Sequence, residues 1–119
     1  MVKRQKGSIF FTGATASIRG SSGYTAFASG KFALRGLAQS MARELGPKNI
    51  HVAHLIIDAS VNTQFVRDQM QKAGTDPNRL PSDTLMEPSS IAEAYWNLHR
   101  QQRDGWTHEL DIRPYAETW

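Results

Sequence analysis

The 119 residues contain no cysteine. That excludes a disulfide framework and every thiolate metal site, and it fits a reducing compartment. Long apolar runs are also missing. No stretch approaches the ~20 residues of a transmembrane helix. Only Ile9-Phe10-Phe11 follows the basic N-terminus, too short a run for the core of a signal peptide. A cytoplasmic protein, off the membrane, is expected. Excess charge is scarce as well. Lysine and arginine number 14 against 11 acidic residues, a formal net charge of +3. That is too small and too scattered to point to a nucleic-acid partner. The densest basic run, Lys3-Arg4-Gln5-Lys6, reads as a solvated tail.

What is there is organised. Apolar residues concentrate in 8–66 and again in 91–112, while 67–90 is mostly polar. Residues 8–12, Ser-Ile-Phe-Phe-Thr, lie between Gly7 and Gly13 and predict a buried strand. A loop of small residues follows. Phe27, Lys31, Leu34, Ala38, Met41 and Leu45 then recur at steps of three and four, predicting a helix over 24–45 that Gly46-Pro47 ends. Phe32 and Leu37 lie off that stripe, so the helix is expected to be covered on two faces.

Residues 50–57, Ile-His-Val-Ala-His-Leu-Ile-Ile, predict a second strand. Its continuous apolar end suits a parallel strand covered on both faces. A helix over 62–73 would use Phe65, Val66 and Met70, and 74–90 holds three prolines in an extended loop. Pro88-Ser89-Ser90 predicts a serine-capped helix that runs to Gly105. Thr107–Arg113 predicts a third strand, with Leu110 and Ile112 on one face and Glu109 and Asp111 on the other.

The order β-α-β-α-α-β predicts an α/β fold with right-handed crossovers and a parallel sheet. Three strands leave two open edges, so the sheet reads as part of a larger one. His51 and His54 are three apart in a strand and point to opposite faces, with structural roles expected for both. His108-Glu109 opens like a zinc-protease motif, but no second histidine follows at the right spacing. No metal site is expected. Trp96, Trp106 and Trp119 are expected to be packing residues.

The run from Gly7 to Thr63 resembles the central block of a short-chain dehydrogenase/reductase, and 89–114 resembles that family's last helix and strand. The resemblance implies the C-terminal part of a Rossmann-like, doubly wound parallel sheet, lacking the N-terminal dinucleotide-binding half. It implies an NAD(P)-dependent oxidoreductase. Lys31 matches the lysine of the family's Tyr-x-x-x-Lys motif, which holds the nicotinamide ribose and lowers the pKa of the tyrosine. That tyrosine position is Phe27, and the serine position thirteen residues before it is Ala14. Without the donor there is no general acid.

Tyr24, seven residues before Lys31, is either a displaced acid or an interface aromatic. Val61 and Thr63 match the family's turn against the nicotinamide amide and the pyrophosphate. In that turn Asp58-Ala59 replaces Pro-Gly, and Asp58 reads as a turn former. The only candidate for a phosphate-binding glycine turn, Thr12 to Gly20, has Ser17 at its middle glycine and fits better as the serine loop.

The chain therefore reads as one partial domain over 1–119, with 67–90 as a mobile substrate loop. Val2–Lys6 looks like the end of a helix, so Met1 is expected to be an internal methionine used as a start. NAD or NADP is the implied cofactor, though tight binding by these residues alone is not expected. The chain is expected to be catalytically incomplete. The alternative is a non-catalytic binding or oligomerisation module, a pseudoenzyme. A homo-oligomer through the 24–45 helix is the expected partner.

Overall fold

Seven consecutive residues from Ile50 to Ile56 are buried, and the fold is arranged around them. They belong to β2 (Ile50–Ile57), the middle strand of a three-stranded parallel sheet in the order β1-β2-β3. The computed structural model describes residues 1–118. β1 spans Gly7–Ala14 and pairs with β2 along its whole length, from Gly7 opposite Ile50 to Ala14 opposite Ile57. β3 spans only Glu109–Ile112 and pairs with the second half of β2.

Three helices flank the sheet. α1 (Thr25–Leu45) packs on β1 and β2. α3 (Pro88–His99) covers the other face, where Tyr95 meets Phe10 and shares a 2.6 Å hydrogen bond with Thr12. α2 (Gln64–Lys72) is short and capped by Thr63, whose Oγ1 accepts from the Val66 amide. The order, the parallel pairing and the flanking helices are those expected from the sequence.

Several details differ. β1 runs two residues past Thr12 and takes in Gly13, because full pairing with β2 outweighs the weak strand preference of glycine. α3 starts after Glu87 with Pro88 in its first turn and no side-chain cap, so the expected serine cap does not form. It stops at His99, and Arg103–Gly105 form a separate 3-10 turn. Phe65 is 71% exposed and does not anchor α2. Trp106 stacks on His51 at 4.9 Å, as a packing residue should, but Trp96 is 57% exposed on α3. Trp119 lies outside the described residues. Val2–Arg4 form a 3-10 turn. Within 74–90 there is a further 3-10 turn, Pro77–Arg79, and a bridge from Val61 to the buried Met86.

α1 buries only Ala28 and Ala38, and leaves Phe27, Phe32 and Leu37 about half exposed. The radius of gyration is 16.4 Å, whereas a compact chain of this length has roughly 13–14 Å. β1 also has a free edge among the described residues. Both features are what a thin sheet leaves uncovered. Among the described residues no helix is long and apolar enough to cross a membrane.

Candidate functional site

Parallel strands end together, so β1 and β2 bring their C-terminal ends to one rim. A cavity of about 380 Å³ opens there, lined by Ala14, Thr15, Ala16, Arg19, Ser21, Tyr24, Phe27, Ile57 and Ala59. Three residues singled out by the sequence, Ala14, Tyr24 and Phe27, thus share one wall. Tyr24 caps the start of α1, and its ring meets that of Phe27 edge-on at 6.5 Å. Lys31 lies one turn further along. Its Nζ is 5.7 Å from the centre of the Phe27 ring and donates to the Thr12 carbonyl at 2.9 Å. Val61 and Thr63 lie beyond the end of β2 and outside the cavity lining.

Asp58 is the main correction at this rim. Its place after an apolar strand predicts a turn former, but it is a buried ion-pair partner. Its side chain is 1% exposed, and it accepts hydrogen bonds from the Thr15 hydroxyl and from Arg19 Nη2 at 3.2 and 3.3 Å. Arg113 Nη1 stands 3.4 Å away and completes the ion-pair group. A buried carboxylate needs such partners. Here it ties the loop after β1, the end of β2 and the end of β3 together.

A second polar chain runs through the sheet beneath the cavity. The Ala14 amide donates to Ser17 Oγ at 3.0 Å, and Ser17 Oγ lies 3.5 Å from His54 Nε2. His54 Nδ1 donates to Glu109 at 3.0 Å, and Glu109 receives Arg35 through two bonds of 2.8 and 2.7 Å. Ser17 and His54 are fully buried. The order of a serine, a histidine and a carboxylate resembles a hydrolase triad. No substrate can reach that serine, however, so the chain is structural, as expected for His54. His51 is structural on the opposite face, where it donates from Nε2 to the Thr107 carbonyl.

Arg35, chiefly by its hydrogen bonds, holds the Glu109 carboxyl below its ordinary value of 4.5, with His54 helping and partial burial opposing. A depressed folded-state pKa contributes stability above the unfolded value and loses it as pH falls through the folded one. Glu109→Gln is therefore expected to cost about 1–2 kcal/mol near pH 7 and to flatten the loss of stability below about pH 4.5. Urea titrations of both proteins from pH 7 to pH 3 check this. Parallel acid limbs would contradict it.

Arg19 and Arg35 were not legible as site residues, and Ser17 stood out only as the residue at a glycine position of the serine loop. Arg35 had one signal, its place one helical turn after Lys31. His54 and Asp58 had another, since each interrupts an apolar run.

Comparisons with known proteins agree with this fold. The family profile for short chain dehydrogenase matches residues 1–74. A 3-ketodihydrosphingosine reductase from Bos taurus is 44% identical over 95 residues, which are 78% of this chain and 28% of that protein. The crystal structure of a short-chain dehydrogenase from Rhodopseudomonas palustris is 50% identical. It superposes with a TM-score of 0.70 over 97% of this chain and 42% of its own. A closed form of serine dehydrogenase complexed with NADP+ shares the fold at a TM-score of 0.80 and 19% identity, over 100% of this chain and 48% of its own. The chain thus spans less than half the length of these relatives.

Proposed function

This chain belongs to the short-chain dehydrogenase family, and from that premise we propose that it forms the substrate-facing part of an NAD(P)-dependent oxidoreductase fold, at work in the cytoplasm, without complete reductase chemistry of its own. The supporting observation is the cavity wall. Ala14 and Phe27 stand at the positions of the family's serine and tyrosine, and neither carries a proton to give. In this reading 67–90 is the substrate loop.

In this reading three residues match the positions that meet one end of a dinucleotide in the family. Lys31 would hold the nicotinamide ribose, the Val61 backbone the carboxamide, and Thr63 the pyrophosphate. The bound cofactor would supply a hydride. The phosphate end is not matched. Gly13 sits inside β1, and the space above it is filled by His54 and Ser17 rather than open to a phosphate.

The test is titration of the purified 119 residues with NADPH, by calorimetry and by an assay with cyclohexanone. A Kd weaker than about 1 mM and no ketone-dependent oxidation are expected. Micromolar affinity or clear turnover would overturn the reading. Loss of such turnover in Tyr24→Phe would assign the acid to Tyr24.

A second reading is favoured by the half-exposed Phe32 and Leu37 on α1. We infer that 24–45 is an association surface for a second copy, making the chain an oligomerisation module. Sedimentation velocity is expected to show a dimer or larger species, and a stable monomer would refute it.

A further inference from the structure

We propose that the cavity between the ends of β1 and β2 and the start of α1 binds a small apolar carboxylate, its anionic end on Arg19 and its tail along Phe27 and Ile57. The inference rests on the reading of this cavity as the substrate cavity, and adds the chemical class of the occupant.

Arg19 is the one charged residue among those lining the cavity. Its guanidinium is anchored from behind, because Nη2 bonds both oxygens of the buried Asp58. That bond leaves Nε and Nη1 with no hydrogen-bond partner among the described residues, on a side chain 35% exposed. A cation fixed by a buried carboxylate is pre-organised and loses little freedom when an anion arrives. Asp58 shares its single charge with Arg113, and Arg113 also holds Asp111 at 2.5 Å. The four charges balance, but of these only the Arg19 guanidinium belongs to a residue lining the cavity.

The rest of the wall sets the other half of the specificity. Phe27, Ile57 and the alanines give an apolar surface. Thr15 spends its hydroxyl hydrogen on Asp58. Ser21 and Tyr24 also line the cavity, but their hydroxyls are neutral, and Ala14 and Phe27 offer none. The strongest polar interaction available in the cavity is therefore a charge-assisted bond to Arg19. About 380 Å³ suits a small ligand with an apolar body and one polar end.

The experiment compares hexanoate with hexanamide, which has the same tail and no charge, on the full chain. Binding is followed by NMR, including the Arg19 Nε–H signal. Saturable hexanoate binding that moves this signal, about tenfold tighter than hexanamide, is the expected result. Arg19→Gln is expected to erase the preference. Equal affinities, no saturable binding of either, or a preference that survives Arg19→Gln would overturn the proposal. Should Arg19→Gln fail to fold, the pair of ligands on the unaltered chain and the Nε–H signal decide alone. Neither readout involves NADPH or turnover, so reductase activity would sink the earlier reading and leave this one standing on its own result.

Discussion

Replacing Asp58 by alanine is expected to destabilise the fold by about 3 kcal/mol, the lower end of the range for removing one partner of a buried ion pair. The side chain is 1% exposed and has three partners. Their fates differ once it is gone. Arg19, already 35% exposed, can turn into water. Arg113 keeps Asp111 but stays 17% exposed beside an emptied site. Thr15 loses an acceptor at the start of the loop that shapes the cavity. The arginines that can escape or re-pair hold the cost at the lower end. Urea melts of the two proteins at pH 7 check the figure. A cost under about 1 kcal/mol would place Asp58 with surface pairs and would remove the anchor assigned to Arg19.

Gly13→Ala is expected to cost a similar amount, about 3 kcal/mol, for a purely steric reason. The backbone there lies in a regular strand, so alanine meets no conformational objection. A Cβ at that position would collide with His54 Nε2, and would come within 2.8 Å of His54 Cε1 and 2.9 Å of Ser17 Oγ. Neither neighbour can yield cheaply. His54 is fully buried in the central strand and pinned at 3.0 Å to Glu109. Ser17 is fully buried and accepts from the Ala14 amide. The check is a double-mutant cycle. Truncating His54 to alanine alone should destabilise, yet the pair should cost clearly less than the sum, because the smaller side chain makes room for the new methyl. Strict additivity would show that the glycine serves something other than the approach of His54.

The run at 50–57, with its continuous apolar end, identified the central strand to its last residue, and the structure buries its first seven positions. The three- and four-residue steps of α1 gave its limits within one residue. Lys31, Phe27 and Ala14 stood out through the spacing of the motif they resemble, and the structure brings Ala14 and Phe27 to one cavity wall with Lys31 one turn further along α1. The exposure of Phe65 and Trp96 was not legible, because an apolar side chain carries no record of whether a neighbour covers it. The serine cap of α3 was misread because Glu87-Pro88 can begin the same helix.

The sequence by itself determined the α/β order, the parallel strands and the family, because these follow from local periodicity and from a contiguous motif. Only the tertiary structure decided what the charged residues do. Asp58 meets Arg19 across 39 residues of chain, and Glu109 meets Arg35 across 74. No local pattern encodes such pairs. They arise because parallel strands and the helix packed on them bring distant segments together, Asp58 at the rim and Glu109 beneath it, where a carboxylate withdrawn from water must find a cation.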